Sequence, residues 1–259
     1  MVNRHFLKLS VIVEMLPGVK LICDPKSSYG SLVFYNGLPE YAEQMFMYQF
    51  VEGGDTIIDI GAHIGSETVL LGSKLGKGHI YSFEPTPGIV QRLKTNISIN
   101  NLEAKVDVEE MAVSDHDGKT KFYLSKESEI NSLHTNKDSK AINIKTISLD
   151  KYANLHHLKH VNMLKIDVEG HEYSVIIGSK TLLTKHKIDV IVFEVNDQSG
   201  QYYQDNLKTR ELLRSFGYKL YLIGQNGQLV KYVHCPLVHN CVAISPKIKP
   251  SRMKNIKYD

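Results

Sequence analysis

Four short segments place acids, a histidine and glycines where strands should end. The first is IIDIGAHIG at 57–65, where a β-branched apolar run carries Asp59 and leads into Gly61 and Gly65. A glycine directly after a strand lets the backbone turn tightly and lets a ligand approach. The second glycine would open a helix, whose free N–H groups favour a negatively charged ligand group. A dinucleotide fingerprint reads GxGxxG, and GAHIG does not match it. Asp59 would oppose a pyrophosphate and suits a ligand bearing an ammonium or sulfonium group. The second segment is IYSFEP, with Glu84 about one βαβ repeat later. An acid there can accept both hydroxyls of a ribose. NAD enzymes share that feature, but paired with the first segment it points to an adenosyl ligand.

The third segment, MLKIDVEGHE at 163–172, runs from apolar strand residues into Asp167, Glu169, His171 and Glu172. At least one of Asp167, Glu169 and His171 is expected to act chemically. Glu172 fits the first turn of a helix, where an acid favours the dipole, and Glu169 could cap the same helix. The fourth, DVIVFEVND at 189–197, buries Glu194 within an apolar strand. A buried carboxylate is costly unless paired or used. Asn196 follows on the same face. Asp167, Glu194 and Asn196 offer hard oxygen ligands of the kind Mg²⁺ accepts, but hydrogen-bonded structural acids explain them better, so no metal site is assigned. HHLKH at 156–160 would set His156 and His160 one helical turn apart. With no acid or cysteine nearby in sequence, a solvated patch is the better reading than a metal site.

These segments need elements to hold them. Thr56–Ile60, His79–Phe83, Val161–Ile166, Asp189–Val195 and Lys219–Ile223 read as strands, with helices to Lys74, from Pro87 to Asn100, from Glu172 to Leu183 and over Leu207–Phe216. Val106–Val108 is a candidate third strand, and Cys241–Ser245 a last one. Alternation of this kind means crossover connections and a mainly parallel sheet, with ligands at the carboxyl ends of the strands. Before it come a hairpin around Pro17-Gly18 and a helix over Glu40–Phe50. Residues 112–148 break the rhythm with short strands and a polar stretch at 126–141. The expected organisation is an N-terminal extension or cap at 1–52, the main domain at 53–246, and a basic tail at 247–259.

The 259 residues are 42% hydrophobic and 23% charged, with a net charge of +3. That is an ordinary globular balance, and no basic stripe with interleaved aromatics suggests a nucleic-acid partner. Cys23, Cys235 and Cys241 form no CxxC pair, which argues against a zinc ribbon and for free thiols in a reducing compartment. No apolar stretch reaches transmembrane length. Glu14 interrupts the N-terminal apolar run, unlike a signal peptide. A cytoplasmic location is expected.

Taken together, IIDIGAHIG, the preceding GGD at 53–55, IYSFEP, AVSDHDGKTKFYLS at 112–125, LKIDVEGHE and VIVFEVND resemble the FkbM-type methyltransferases over roughly residues 40–245. IIDIGAHIG itself looks like motif I of class I S-adenosylmethionine methyltransferases. The resemblance implies an α/β, Rossmann-like seven-stranded sheet whose last strand is antiparallel. It implies S-adenosylmethionine as cofactor and methylation of an oxygen, often a hydroxyl of a sugar or natural product. Carried over by position, Asp59, Gly61, Ala62 and Gly65 would lie at the methionine end of the cofactor, Glu84 at the ribose, and Met111 and Ala112 near the adenine, with His63 a further cofactor candidate. His63 stands where family members often have Asn.

Methyl transfer from a sulfonium is an in-line displacement, so alignment can supply up to roughly 7–11 kcal/mol of the barrier. A hydroxyl acceptor also needs a base. Asp167, Glu169 and His171 are the candidates, with Glu194 holding acceptor or base. The acceptor is expected to be a small molecule or glycan, chosen by residues 1–52 and 126–145; Tyr29, Tyr35, Tyr41, Tyr202 and Tyr203 could stack on it. Two competing readings are an NAD(P)-dependent oxidoreductase, which lacks its GxGxxG, and a non-catalytic partner that kept the fold. Retention of Asp59, Gly61, Gly65 and Glu84 together argues against the second.

Overall fold

In the computed structural model, the apolar runs form one continuous sheet. The structure describes residues 10–124, 140–196, 201–232 and 238–258. Cys235, nearly all of the polar 126–141 stretch and the side chains of Asn196, Tyr202 and Tyr203 lie outside it. The strands are β1 (Val11–Leu16), β2 (Val19–Cys23), β3 (Thr56–Ile60), β4 (His79–Phe83), β5 (Val106–Glu109), β6 (Ala112–Val113), β7 (Gly118–Leu124), β8 (Lys140–Ile147), β9 (Val161–Ile166), β10 (Ile188–Asn196), β11 (Lys219–Ile223), β12 (Leu229–Lys231) and β13 (Val238–Ile244). The helices are α1 (Ser28–Asn36), α2 (Tyr41–Phe50), α3 (Ser66–Lys74), α4 (Pro87–Ile99), α5 (Leu149–Leu155), α6 (Glu172–Ile177), α7 (Lys180–Thr184) and α8 (Gln201–Ser215).

The main sheet runs β12-β11-β13-β10-β9-β3-β4-β5. β3, β4, β5, β9 and β10 pair in parallel, and β13 is antiparallel to both β10 and β11. The seven expected strands are all present, with the last in sequence antiparallel. β12 adds an eighth strand by hairpin pairing with β11, and a separate sheet of order β6-β8-β7 forms from the segment read as irregular. The helix expected over 172–183 is two short ones. They break at Gly178, where a Cβ would sit 2.0 Å from the Ser114 carbonyl oxygen.

Successive strand residues face opposite sides, so β3 serves two cores. Ile57 packs with Phe46, Val69 and Leu93 under α2, α3 and α4. Ile58 and Ile60 pack with Tyr152, Val175, Leu183 and Leu213 under α5 to α8. The N-terminal hairpin is held to α4 by two asparagines. The Asn96 amide bonds the Ile22 N–H and carbonyl, and the Asn100 amide does the same for Lys20.

The C-terminal basic segment also packs on the domain. Arg252 lies over the Phe50 ring and donates to Asp55 at 2.6 Å and Glu52 at 2.7 Å. Asp55 is buried. We expect Arg252→Ala to lower unfolding free energy by about 1.5–3 kcal/mol, the worth of a hydrogen bond to a charged group. Urea unfolding should show a lower midpoint at unchanged slope; an unchanged midpoint would refute docking of this segment.

Candidate functional site

The sheet order dictates the order of groups along one edge. At the carboxyl ends of the parallel strands a cleft opens. Met111 and Ala112, beyond β5, line one end. Glu84 follows from β4, then Gly61 and His63 beyond β3. Asp167, Glu169 and His171 follow β9, Glu194 comes from β10, and Asn240 from β13 closes the other end. Tyr29, Glu40 and Glu43 of the N-terminal segment and Glu67 of α3 complete the walls. The four residues read as catalytic candidates from sequence all meet here. Of the eight read as cofactor contacts, Gly61, His63, Glu84, Met111 and Ala112 line the cleft. Asp59, Ala62 and Gly65 lie behind its surface.

The floor is built on Lys165, which the sequence reading passed over. Its register partner on β3 is Asp59, and both are almost fully buried. Its Nζ lies 3.1 Å from Asp167 Oδ2, 3.8 Å from Asp59 Oδ1 and 3.4 Å from the Gly61 carbonyl oxygen. Burial alone would push Lys165 down, but Asp167, Asp59, Glu67 and Glu43 outweigh it and hold the ammonium charged. Burial pushes Asp59 up, while Lys165 and the Thr68 hydroxyl, 2.6 Å away, pull it back. Asp59 therefore serves as the counter-charge of Lys165. A charge in an apolar strand was the signal that singled out Glu194, and it applied equally to Lys165.

The glycines have packing reasons. Gly61 has φ +79°, and a Cβ on it would come within 1.8 Å of the Asp167 carbonyl oxygen. Gly65 has φ +92°, and its Cβ would meet Leu93 at 2.5 Å. Between them His63 also has a positive φ, 49°. Its N–H donates to Glu84 Oε2 at 3.1 Å, and the Thr86 N–H donates to Oε1 at 2.9 Å. Each carboxylate oxygen keeps a further acceptor position. The Tyr29 ring packs edge-on to the His63 imidazole, with centroids 5.3 Å apart. The Tyr29 hydroxyl bonds Ser66 Oγ, Ser66 donates to Glu67, and Glu67 accepts from the buried Gln44 amide.

The loop after β9 is held by Glu172, whose Oε1 accepts the Gly170 N–H at 3.1 Å. Glu172 does lie in the first turn of α6. The loop forces Glu169 to a φ of 52°, a strained setting of the kind found at functional sites. Asp167 is engaged by Lys165, and His171 Nε2 lies 3.0 Å from Ser114 Oγ. Burial, reinforced by Asp167 and Glu194, pushes Glu169 up to about 8. Burial, then Glu67 and Asp167, pushes Glu40 up to about 8. Burial and Asp167 push Glu194 up to about 7.

The remaining candidates separate. His156 caps the end of α5 and stacks on Tyr152, centroids 4.0 Å apart, while His160 pairs with Asp189 at 2.9 Å. The chain at 157–160 is not helical, so the two histidines do not face one another as a helical pair. Among the described residues no group of three His, Cys, Asp or Glu side chains is arranged to hold a metal ion.

Carboxyls whose folded pKa is raised keep protons that the unfolded chain has lost. Between about pH 4.5 and 8 the native state therefore binds more protons, and stability falls as pH rises. The melting temperature should drop from pH 6 to pH 8.5. Glu169→Gln should recover about 2–4 °C at pH 8.5, on the order of 1 kcal/mol for a chain of this size, and little at pH 5. A melting temperature that rises over this interval would contradict the crowding of acids.

The family model described as Methyltransferase FkbM domain matches residues 59–220, more than half of the chain. The hexuronic acid methyltransferase AglP of Haloferax volcanii is 27% identical over 56% of this chain and 57% of its own length, so this chain spans less than two thirds of it. The 2-O-methyltransferase NoeI of Sinorhizobium fredii is 28% identical over 61% of this chain and 69% of its own. Methyltransferase 1 of Beauveria bassiana is 26% identical over 62% and 71%. Among the described residues no helix is long and apolar enough to cross a membrane. The extent of the family match, together with the strand order and the cleft at the strand ends, settles the assignment: the chain belongs to the FkbM methyltransferase family.

Proposed function

We propose that this methyltransferase uses S-adenosylmethionine to methylate a hydroxyl of a sugar or glycan, with residues 1–52 acting as a cap over the acceptor. The observation that carries the reading is the ordered cleft, with Glu84 at one half and Glu169 and Glu194 at the other. The residues fit the cofactor. Glu84 is held by two backbone N–H groups with acceptor positions to spare for the two ribose hydroxyls. Met111 and Ala112 offer an apolar seat beside it for adenine, and Phe122 adds to that wall. Gly61 and His63 face the middle, where an acidic surround suits a sulfonium. When bound, the cofactor supplies an electrophilic methyl carbon on a positive sulfur.

The chain's own part is to align the acceptor and take its proton. We assign the base to Glu169. Asp167 is paired with Lys165 at 3.1 Å, and His171 is engaged by Ser114. Glu169 carries no hydrogen bond among the described residues, and its pKa near 8 is matched to proton abstraction close to neutral pH. Glu194, on the neighbouring strand, holds the acceptor. Two relatives whose names include hexuronic acid methyltransferase and 2-O-methyltransferase support a sugar oxygen as the target. Membership of a methyltransferase family removes the oxidoreductase reading.

Titration calorimetry and turnover with labelled cofactor separate the roles. Glu84→Gln should weaken cofactor binding by about tenfold or more, about 1.4 kcal/mol. Glu169→Gln should lower kcat by about 10²–10⁴ with cofactor affinity kept. Unchanged kcat in Glu169→Gln would remove it as the base, and absence of cofactor binding by the parent protein would favour a non-catalytic partner.

A further inference from the structure

The loop between β3 and α3 is gripped by the N-terminal segment at three points. The Tyr29 ring packs edge-on to the His63 imidazole, centroids 5.3 Å apart. The Tyr29 hydroxyl bonds Ser66 Oγ, and because Ser66 gives its own proton to Glu67, Tyr29 is the donor. Between these two contacts the Ile64 carbonyl accepts from the Asn96 amide of α4 at 2.8 Å. That amide also accepts from the Ile22 N–H at 2.7 Å and donates to the Ile22 carbonyl at 3.2 Å, so β2 and the loop share one buried anchor. His63 and Ser66 are thus tied to α1 directly, and Ile64 to β2 through Asn96.

Tyr29 has a firm base of its own. It is the second residue of α1, whose first turn is closed by Ser27 Oγ accepting the Gly30 N–H at 2.9 Å. A Cβ on Gly30 would lie 2.0 Å from the Asp24 carbonyl oxygen, so a glycine lets α1 start directly against the end of β2. The hairpin therefore presents Tyr29 to the loop at a set distance from the Asn96 anchor.

The grip matters because of what His63 does with its backbone. At φ 49° it sits in the left-handed region, a setting that persists for a residue with a side chain only when its surroundings hold it. There its N–H meets Glu84 Oε2 at 3.1 Å. The other donor to Glu84, the Thr86 N–H, is only two residues along the chain, so the bond from His63 is the one that ties the carboxylate to the β3 loop. We propose that Tyr29 is a positioning residue for the cofactor, acting through His63 to hold Glu84 where it meets the ribose hydroxyls. The proposal rests on Glu84 as the ribose carboxylate of the proposed function. Tyr29 precedes residues 59–220, the part matched by the family model, so the N-terminal segment contributes to cofactor binding from outside that part. The ring is the working element, since it alone touches His63; the hydroxyl reaches Ser66.

The test reads binding to the full chain by titration calorimetry, with S-adenosylhomocysteine and its 2′-deoxy counterpart as probes. Tyr29→Ala should weaken S-adenosylhomocysteine about three- to tenfold, the worth of an aromatic pair. It should also shrink the parent's preference for the 2′-hydroxyl at least about twofold, because the loss falls on the ribose contact. Tyr29→Phe keeps the ring and should bind like the parent. Asparagine visits the left-handed region without a ring against it, so Tyr29→Ala should cost little more in a His63→Asn background. A general folding defect would instead weaken both probes alike and persist in that background. Unchanged affinity in Tyr29→Ala, an equal loss for both probes, or an undiminished loss beside His63→Asn overturns the inference and leaves the proposed function standing. A parent protein that does not bind S-adenosylhomocysteine overturns the proposed function, and the inference falls with it.

Discussion

A lysine ammonium cut off from water, on the strand next to the first motif, sets the terms for everything around it. Removing Lys165 from solvent would cost several kcal/mol if it were alone. Asp59 on the neighbouring strand and Asp167 just beyond its own strand offset that cost, and both positions follow from the parallel register that pairs Asp59 with Lys165. The ion group therefore ties the ends of β3 and β9 together where the chain leaves the sheet. A one-residue slip of either strand would leave a charge buried without a partner. The loops above the floor therefore start from where this ion group joins the two strands.

The same charges explain why the upper part of the site is acidic. One cation neutralises the floor, but the walls bring further carboxyls from α2, α3 and the loop after β9. Such crowding has no structural benefit by itself, since well-packed apolar residues would serve stability better. Under the proposed function, the sulfonium of the cofactor would gain from these charges. The N-terminal segment takes part directly: Tyr29 braces His63, whose N–H helps to hold Glu84. A region that looks like an appendage in sequence is thereby coupled to the centre of the site.

Much of the frame was legible in sequence because buried parallel strands are short, β-branched and apolar on both faces. Thr56–Ile60, His79–Phe83, Val161–Ile166 and Lys219–Ile223 were read to the residue. α1 was missed because SYGSLVFYN is rich in aromatic and β-branched residues and lacks charged ends. The three-stranded sheet was read as irregular because its partners are separated by the 126–141 stretch and its strands carry solvated lysines. Glu169, His171 and Glu194 could be nominated because strand ends are where such sheets bind ligands. Glu40, Glu43 and Glu67 could not, since their membership depends on how helices lie across the sheet. Lys165 is masked in the sequence pattern by the run of acids that directly follows it.

Gly61 has a consequence for descent. Its place is enforced by the Asp167 carbonyl, 1.8 Å from where a side chain would begin, and by a backbone that only glycine adopts freely. Selection for folding alone would keep it, in a descendant that had lost all turnover as firmly as in a working one. Retention of the glycine motif is thus a record of the fold's ancestry. The marks of a living enzyme in this lineage should be sought at side chains such as Glu169, which makes no side-chain hydrogen bond among the described residues.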